Sequence, residues 1–218
     1  MAKKLIFIVN EENSVEEKIV EYKYIAGNSS LQKSKNVCSL HDSIKKEFNG
    51  QILEISSKSY FDIGKELSAF NLKVEYKGKK IPIENIYQSS KVFENDEQFT
   101  EILNYSPLEA KRCMYKSKNK KIVSFRFDDK NYPITPSTLY YNYIYCRALK
   151  QNHHLIKEII KYNIFTDIEF NYIYSVNCQA RAVAIYLSLY KNGLLEEALS
   201  SIKKFERIVY KKNNIKID

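Results

Sequence analysis

Apolar and polar positions divide the chain into two styles of patterning. Over the first eighty residues, apolar side chains come in short runs or alternate with polar ones, the period-2 signature of strands. Lys4 to Val9 is one such run and Gln51 to Ile55 another. Leu72-Lys73-Val74-Glu75-Tyr76 alternates, Lys77-Gly78 offers a turn, and Lys79 to Ile83 runs back, a predicted hairpin ending at Pro82. Between these, Ser39 to Phe48 predicts a helix with Ser39 as its N-cap.

After Ile83 the spacing becomes helical. Ile86, Val92 and Phe93 fall on broadly one side of a predicted helix. Ser106-Pro107 places a capping residue before a proline at the first helical position, and Thr135-Pro136 repeats that signal ahead of a helix from Ser137 to about Lys150. Lys121 to Phe127 is a strand candidate, and a helix is predicted from Asn152 to Tyr162. Phe165 to Asn177 reads as irregular. Ala180, Val183, Ala184, Leu187 and Tyr190 mark a helix over Cys178 to Lys191, stopped by Asn192-Gly193, and a last helix covers Leu194 to about Tyr210. The sum is an α+β fold, predominantly helical, with its strands in the N-terminal third. No repeat or linker divides the chain, so a single domain over 1–218 is expected.

At 218 residues, 44% hydrophobic and 13% aromatic, the chain is long enough for a real core and is not disordered or fibrous. Its net charge of +9 fits a phosphate-bearing partner, although a Lys/Asn/Ile-rich composition also follows from an A·T-rich genome. Cys38, Cys113, Cys146 and Cys178 are scattered, and the adjacent His153 and His154 point about 100° apart on a helix, so no structural metal is expected. Too few apolar residues open the chain for a signal peptide, and the uncharged stretch from Ala182 to Tyr190 is far short of a membrane span. A reduced, cytoplasmic, soluble protein without a membrane partner is expected.

Several segments carry possible chemistry. On a helix, Glu84, Tyr87 or Gln88, and Lys91 share a face. The plain reading is a solvated stripe with Glu84 favoured by the helix dipole. The sharper one is a site for a sugar-phosphate ligand. Asp167 and Glu169 alternate with large apolar residues and share a side if extended. Asn177 is either simply the N-cap of the following helix or, with Gln179 and Arg181, part of a phosphate-binding helix start. Lys111, Arg112, Lys116, Lys118, Lys120, Lys121, Arg126 and Lys130 oppose only Asp128 and Asp129, with Tyr115, Phe125, Phe127 and Tyr132 interleaved. That is either a solvated loop or a nucleic-acid track. The Tyr140 to Tyr145 run reads as helix core. No phosphate-binding P-loop, dinucleotide fingerprint or nucleophile elbow is present.

The segment Glu84-Asn85-Ile86-Tyr87-Gln88-Ser89-Ser90-Lys91-Val92-Phe93 resembles the E-H-x-(F/Y)-Q-x-x-K-F helix of the NADAR (YbiA-like) domain. The strings ISSKS (55–59), LSAFNL (67–72), YQSSKVFEN (87–95), FTDIEFN (165–171) and NCQARA (177–182) more closely resemble NADAR antitoxins associated with DarT-type toxins. The resemblance covers roughly residues 50 to 205. It implies a YbiA-like core over 51–210 with a strand-and-helix extension over 1–50. It further implies an ADP-ribosyl glycohydrolase that removes ADP-ribose from guanine in DNA, opposing a DNA ADP-ribosyltransferase, with no cofactor.

By that resemblance Glu84 is the charge stabiliser or the base for water, and Asp167 orients the ribose or shares the acid–base work. Lys91 holds a phosphate or attacks the opened sugar as a Schiff base. Ser56, Ser57, Lys58, Ser68, Phe70 and Asn71 would line the ADP-ribose pocket with Tyr87, Gln88 and Glu169, and Asn177, Gln179 and Arg181 would close it. The wider family's histidine after the glutamate is Asn85 here. Lys118, Lys120 and Lys121 are the expected DNA contacts, since a base in a duplex is reached by flipping or as a single strand. A hydrolase acting on a small N-glycoside and a non-catalytic toxin binder are the competing classes.

Overall fold

The computed structural model describes residues 1–27 and 29–211. Ala2–Val9 (β1) and Val15–Tyr22 (β2) form an antiparallel pair. β2 escaped the pattern reading because Glu16, Glu17, Lys18 and Glu21 interrupt it, as suits a sheet edge with one face in water. The first helix, Ser30–Glu47 (α1), begins well before Ser39. Its N-cap is Ser29, which makes a reciprocal capping box with Gln32, while the Ser39 hydroxyl donates to the Lys23 carbonyl.

Ile52–Glu54 (β3) and Asp62–Glu66 (α2) follow. The expected hairpin forms from Lys73–Tyr76 (β4) and Lys79–Pro82 (β5), its turn using positive φ at Lys77 and Gly78. Ile83–Ser89 (α3) then stops short of the predicted Phe93, and Lys91–Phe93 is a strand (β6). Ser89 and Ser90 both donate their hydroxyls to the Ile86 carbonyl, and the Ser90 carbonyl accepts from Arg126 N at 2.7 Å, drawing the chain into a sheet. Pro107–Tyr115 (α4) starts as predicted, with Ser106 and Glu109 in a capping box.

Ile122–Phe127 (β7) and Lys130–Tyr132 (β8) complete a β6-β7-β8 sheet. Leu139–Gln151 (α5) is capped at Thr138 rather than Thr135, whose bond to Pro136 is cis. The predicted 152–162 helix reduces to one 3-10 turn and Ile156–Ile159 (α6). Ile164–Thr166 (β9) is a strand inside the segment expected to be irregular. Gln179–Lys191 (α7) is capped at Cys178, not Asn177, and ends before Gly193, whose φ of 66° is left-handed. The last predicted helix is broken into Leu195–Leu199 (α8), Ile202–Glu206 (α9) and a π turn over Arg207–Lys211, with Ser201 capping the second piece.

The architecture is mixed α+β. Its larger sheet runs β2-β1-β9-β3, with β9 antiparallel to β1 and parallel to β3. Alternation assigns each strand's neighbours to opposite faces. Ile6, Ile52 and Ile164 join Leu40 and Ile44 of α1, whereas Phe7, Leu53 and Phe165 face the main core with α5 and α7. Among the described residues no helix is long and apolar enough to cross a membrane.

Candidate functional site

The carboxyl ends of β3 and β9, the chain after α2, and helices α3, α4 and α7 converge on a cavity of about 630 Å³, within the range of small-molecule sites. Glu84, Tyr87, Gln88, Asp167, Glu169, Asn177, Gln179, Ser57, Lys58, Ser68 and Phe70 all line it. The local chain explains why. Glu84 N donates to the Ala69 carbonyl at 3.0 Å and Ala69 N donates to Gln179 Oε1 at 2.6 Å, so α3, the loop after α2 and α7 are stitched together at the cavity floor. Gly64 permits the approach of α2 to β3, since a Cβ there would lie 2.1 Å from the Glu54 carbonyl.

On the α3 side, Gln88 Nε2 donates to Glu84 Oε1 at 2.9 Å, and Lys91 Nζ donates to Gln88 Oε1 at 2.7 Å. Lys91 is a strand residue, so the predicted seven-residue helical spacing from Glu84 is not what joins them; the amide of Gln88 does. Its amine lies 4.9 Å from the centre of the Tyr87 ring. Burial lowers the Lys91 pKa to about 8, against the attraction of Glu84. The amine does not itself line the cavity.

The β9 side is built differently. Asp167 Oδ1 accepts from the backbone N–H of Glu169 and Phe170 at 3.0 and 3.2 Å, and the Gln179 side chain adds a further hydrogen bond. Burial, then the neighbouring Glu54 carboxylate, push the Asp167 pKa up to about 7. Glu54, 1% exposed, accepts from Ser56 Oγ, Thr166 Oγ1 and Ile168 N at 2.6, 2.6 and 2.8 Å. Burial raises its pKa as well. Lys4 of β1 donates to the carbonyls of Ile168 and Phe170, and its own pKa is lowered by burial against the pull of Asp167 and Glu54. His41 Nε2 meets Thr166 Oγ1 at 3.0 Å from α1, its pKa driven down to about 4 by burial.

Four expected site residues stand off the cavity. Ser56 is buried behind it, holding Glu54 and, through its hydroxyl, the Lys58 N–H at 3.1 Å. Asn71 is exposed and donates to the Lys65 carbonyl. Arg181 turns to Glu17 at 2.6 Å and lies over the Phe7 ring. Lys91 is the fourth. Asn177 is no cap; its Nδ2 donates to the Tyr87 hydroxyl at 2.6 Å. Glu169 is engaged by Lys33, whose Nζ reaches both carboxylate oxygens at 2.9 Å. Asn85 is fully buried and faces away, donating to the carbonyls of Ile102 and Tyr105. Of the expected DNA contacts, Lys120 pairs with Glu97 at 2.5 Å, Lys121 with Glu94 at 3.8 Å, and Lys118 lies on the Tyr115 ring.

The cavity also takes in Lys33, Leu108, Lys111 and Tyr141, which the sequence reading did not place there. The Tyr141 phenol is raised well above its usual pKa by burial, with both Glu84 and Asp167 contributing, so one side chain senses both carboxylates. A model of the DarT1-associated NADAR antitoxins matches residues 2–217. The chain belongs to that family. No curated protein sequence matches it. In this member of the family, Glu84 and Asp167, the two acidic residues picked out by resemblance, open on the same cavity. Together they offer a proton donor, an anionic group for developing positive charge, and cations at the rim from Lys33, Lys58 and Lys111.

Proposed function

We propose that the protein is an ADP-ribosyl glycohydrolase that removes ADP-ribose from guanine bases in DNA and so opposes a DarT-type toxin. The observation that carries the reading is the meeting of Glu84 and Asp167, from separate elements, in one cavity, with Asp167 held near pH 7. Cleaving the glycosidic C–N bond builds positive charge at the anomeric carbon and leaves an electron pair on the base nitrogen. Asp167, still partly protonated at neutral pH, gives that nitrogen its proton. Glu84 stabilises the cationic sugar and takes a proton from the attacking water, with Gln88 fixing its orientation. Lys58 and Lys33 meet the diphosphate; Ser57, Ser68, Phe70, Tyr87, Asn177 and Gln179 contact the rest of the ligand. Ser56 and Asn71 serve from behind by holding the loops that carry these contacts, and Arg181 ties the start of α7 to β2 through Glu17. The reading takes 1–218 as one unit, because β1 lies between β2 and β9 in the sheet that presents Asp167.

A second, covalent route would use Lys91, whose pKa burial lowers to about 8 and whose amine reaches the cavity only by leaving Gln88. Its neutral amine would bond to the anomeric carbon of the opened ribose as the bond to the base breaks. The two protons of the amine pass to the departing base nitrogen and to the opened ring oxygen, and water then hydrolyses the imine to restore the amine and release ADP-ribose.

The test uses two DNA oligonucleotides, carrying ADP-ribose on guanine and on thymine, incubated with the protein and with Glu84→Ala. Release of ADP-ribose from the guanine adduct alone, lost in the variant, is the expected result by mass analysis. Tight binding without release from either overturns it in favour of a non-catalytic antitoxin. Release from small N-glycosides in preference to the oligonucleotide favours a metabolic hydrolase.

A further inference from the structure

Helix α4 buries Ala110 and Met114 against Phe93 and Ile102, leaving an adjoining flank to solvent. Leu108, Lys111 and Tyr115 lie on that face at three- and four-residue spacing. Leu108 is 47% and Tyr115 68% exposed. The face begins in the site: Leu108 and Lys111 line the cavity, and Lys111 Nζ is 5.8 Å from the Phe70 ring centre. It ends on Tyr115, where Lys118 Nζ sits 4.6 Å from the ring centre and 3.2 Å from the hydroxyl. Leu108 to Tyr115 spans ~10 Å, about three stacked nucleotides at ~3.4 Å each.

Charge separates this face from its surroundings. Lys120, Lys121 and Arg126 are paired with Glu97, Glu94 and Asp96. Lys111, Lys116 and Lys118 have no ion pair among the described residues. Unneutralised amines beside an exposed aromatic ring, running outward from a cavity mouth, match a phosphate backbone with unstacked bases.

We propose that the exposed face of α4 is the platform for single-stranded DNA flanking the modified guanine, with phosphates on Lys111 and Lys118 and a base stacked on Tyr115. It rests on the glycohydrolase reading for its substrate and moves the DNA contacts inward from Lys120 and Lys121. A single strand fits better than a duplex, since Tyr115 offers its ring only to a base already out of a stack.

The experiment measures two things for the wild type, Tyr115→Ala, Lys118→Glu and Lys157→Glu, the last a matched charge change at an exposed site on α6. One is fluorescence anisotropy with an unmodified single-stranded oligonucleotide at several salt concentrations. The other is cleavage of the guanine adduct in that oligonucleotide and as a free nucleoside. Tyr115→Ala is expected to weaken oligonucleotide binding and raise its KM about tenfold, within the range for loss of one stacked base. Lys118→Glu is expected to reduce the salt slope by about one phosphate contact. Both are expected to leave nucleoside cleavage and Tm as in the wild type. Unchanged oligonucleotide binding and KM in both variants, or the same losses in Lys157→Glu, overturns the platform. Equal loss on nucleoside and oligonucleotide overturns it too. A wild type that binds the strand through Tyr115 but cleaves neither adduct upholds the platform and removes the glycohydrolase reading instead.

Discussion

The cavity holds one carboxylate on each of two walls, and the walls are built on opposite principles. Glu84 stands on α3 with the Gln88 amide as its donor and an amine one step further along at Lys91. Asp167 is gripped by two backbone N–H groups and Gln179, and is crowded by a second, fully buried carboxylate at Glu54. Within the sheet, alternation puts Glu54, Thr166 and Lys4 on the same face as Ile52, Ile164 and Ile6, and Asp167 follows directly after β9. The lesson is that two acids of similar intrinsic strength can be given very different surroundings on the two sides of one cavity. One is held by a side-chain amide, the other is buried beside a second carboxylate.

The sharpest way to break the contrast is Glu84→Gln. Cleavage is expected to fall ~10⁴-fold, while calorimetry finds ADP-ribose binding little changed. Asp167→Asn is expected to cost ~10³-fold and to abolish the decline in rate as pH rises through about 7, read from a kcat profile. The same variant bears on stability. Folded Asp167 keeps its proton to about pH 7, whereas an unfolded aspartate loses it near 3.8, so the native chain binds the extra proton between those values. Its stabilisation is complete below the lower pH and is lost as pH climbs to the upper one. Denaturant titrations at pH 5 and 7 should show that slope in the wild type and less of it in Asp167→Asn.

Lys91→Met discriminates the two chemical routes. On the covalent route it costs ~10²-fold or more, and borohydride traps ADP-ribose on Lys91 of the wild type. On the water route no adduct forms and the loss is smaller. The subtlest change is Glu54→Gln. Removing the neighbouring charge is expected to move the Asp167 midpoint below 7 without removing catalysis. It is also expected to lower stability by ~1–3 kcal/mol, because an amide cannot accept from all three donors. A midpoint that stays put would mean that burial alone sets the Asp167 pKa.

What was legible in the sequence depended on range. The β4–β5 hairpin, the Ser106-Pro107 start of α4 and the Gly193 stop of α7 are written in a few adjacent residues, and each is where the pattern put it. The end of α3 is ambiguous in the sequence because Val92 and Phe93 fit a helical stripe as well as a strand; Arg126, on the neighbouring strand β7, settles it. β9 was missed because three residues are too short to show alternation, and its ladders lie on partners far away in the chain. Asn177 looked like a cap because its true partner, the Tyr87 hydroxyl, is ninety residues upstream. Glu84 and Asp167 stand out in the pattern as candidates, and their expected roles come from resemblance. Glu54 showed no signal, since a glutamate in a short strand ordinarily faces water.

The place of β9 in the sheet has a consequence for how the molecule is made. Ile164 pairs with Ile8 and Ile52, strands that leave the ribosome long before it. Until that late segment arrives, β1 and β3 have no strand between them, and the loop that Lys4 latches does not exist. Closing so large a separation is slow compared with forming the local hairpins. A chain interrupted anywhere before residue 164 therefore lacks half the acid pair and the scaffold for the other polar contacts. Half-synthesised copies therefore cannot assemble the cavity, however well their local hairpins form.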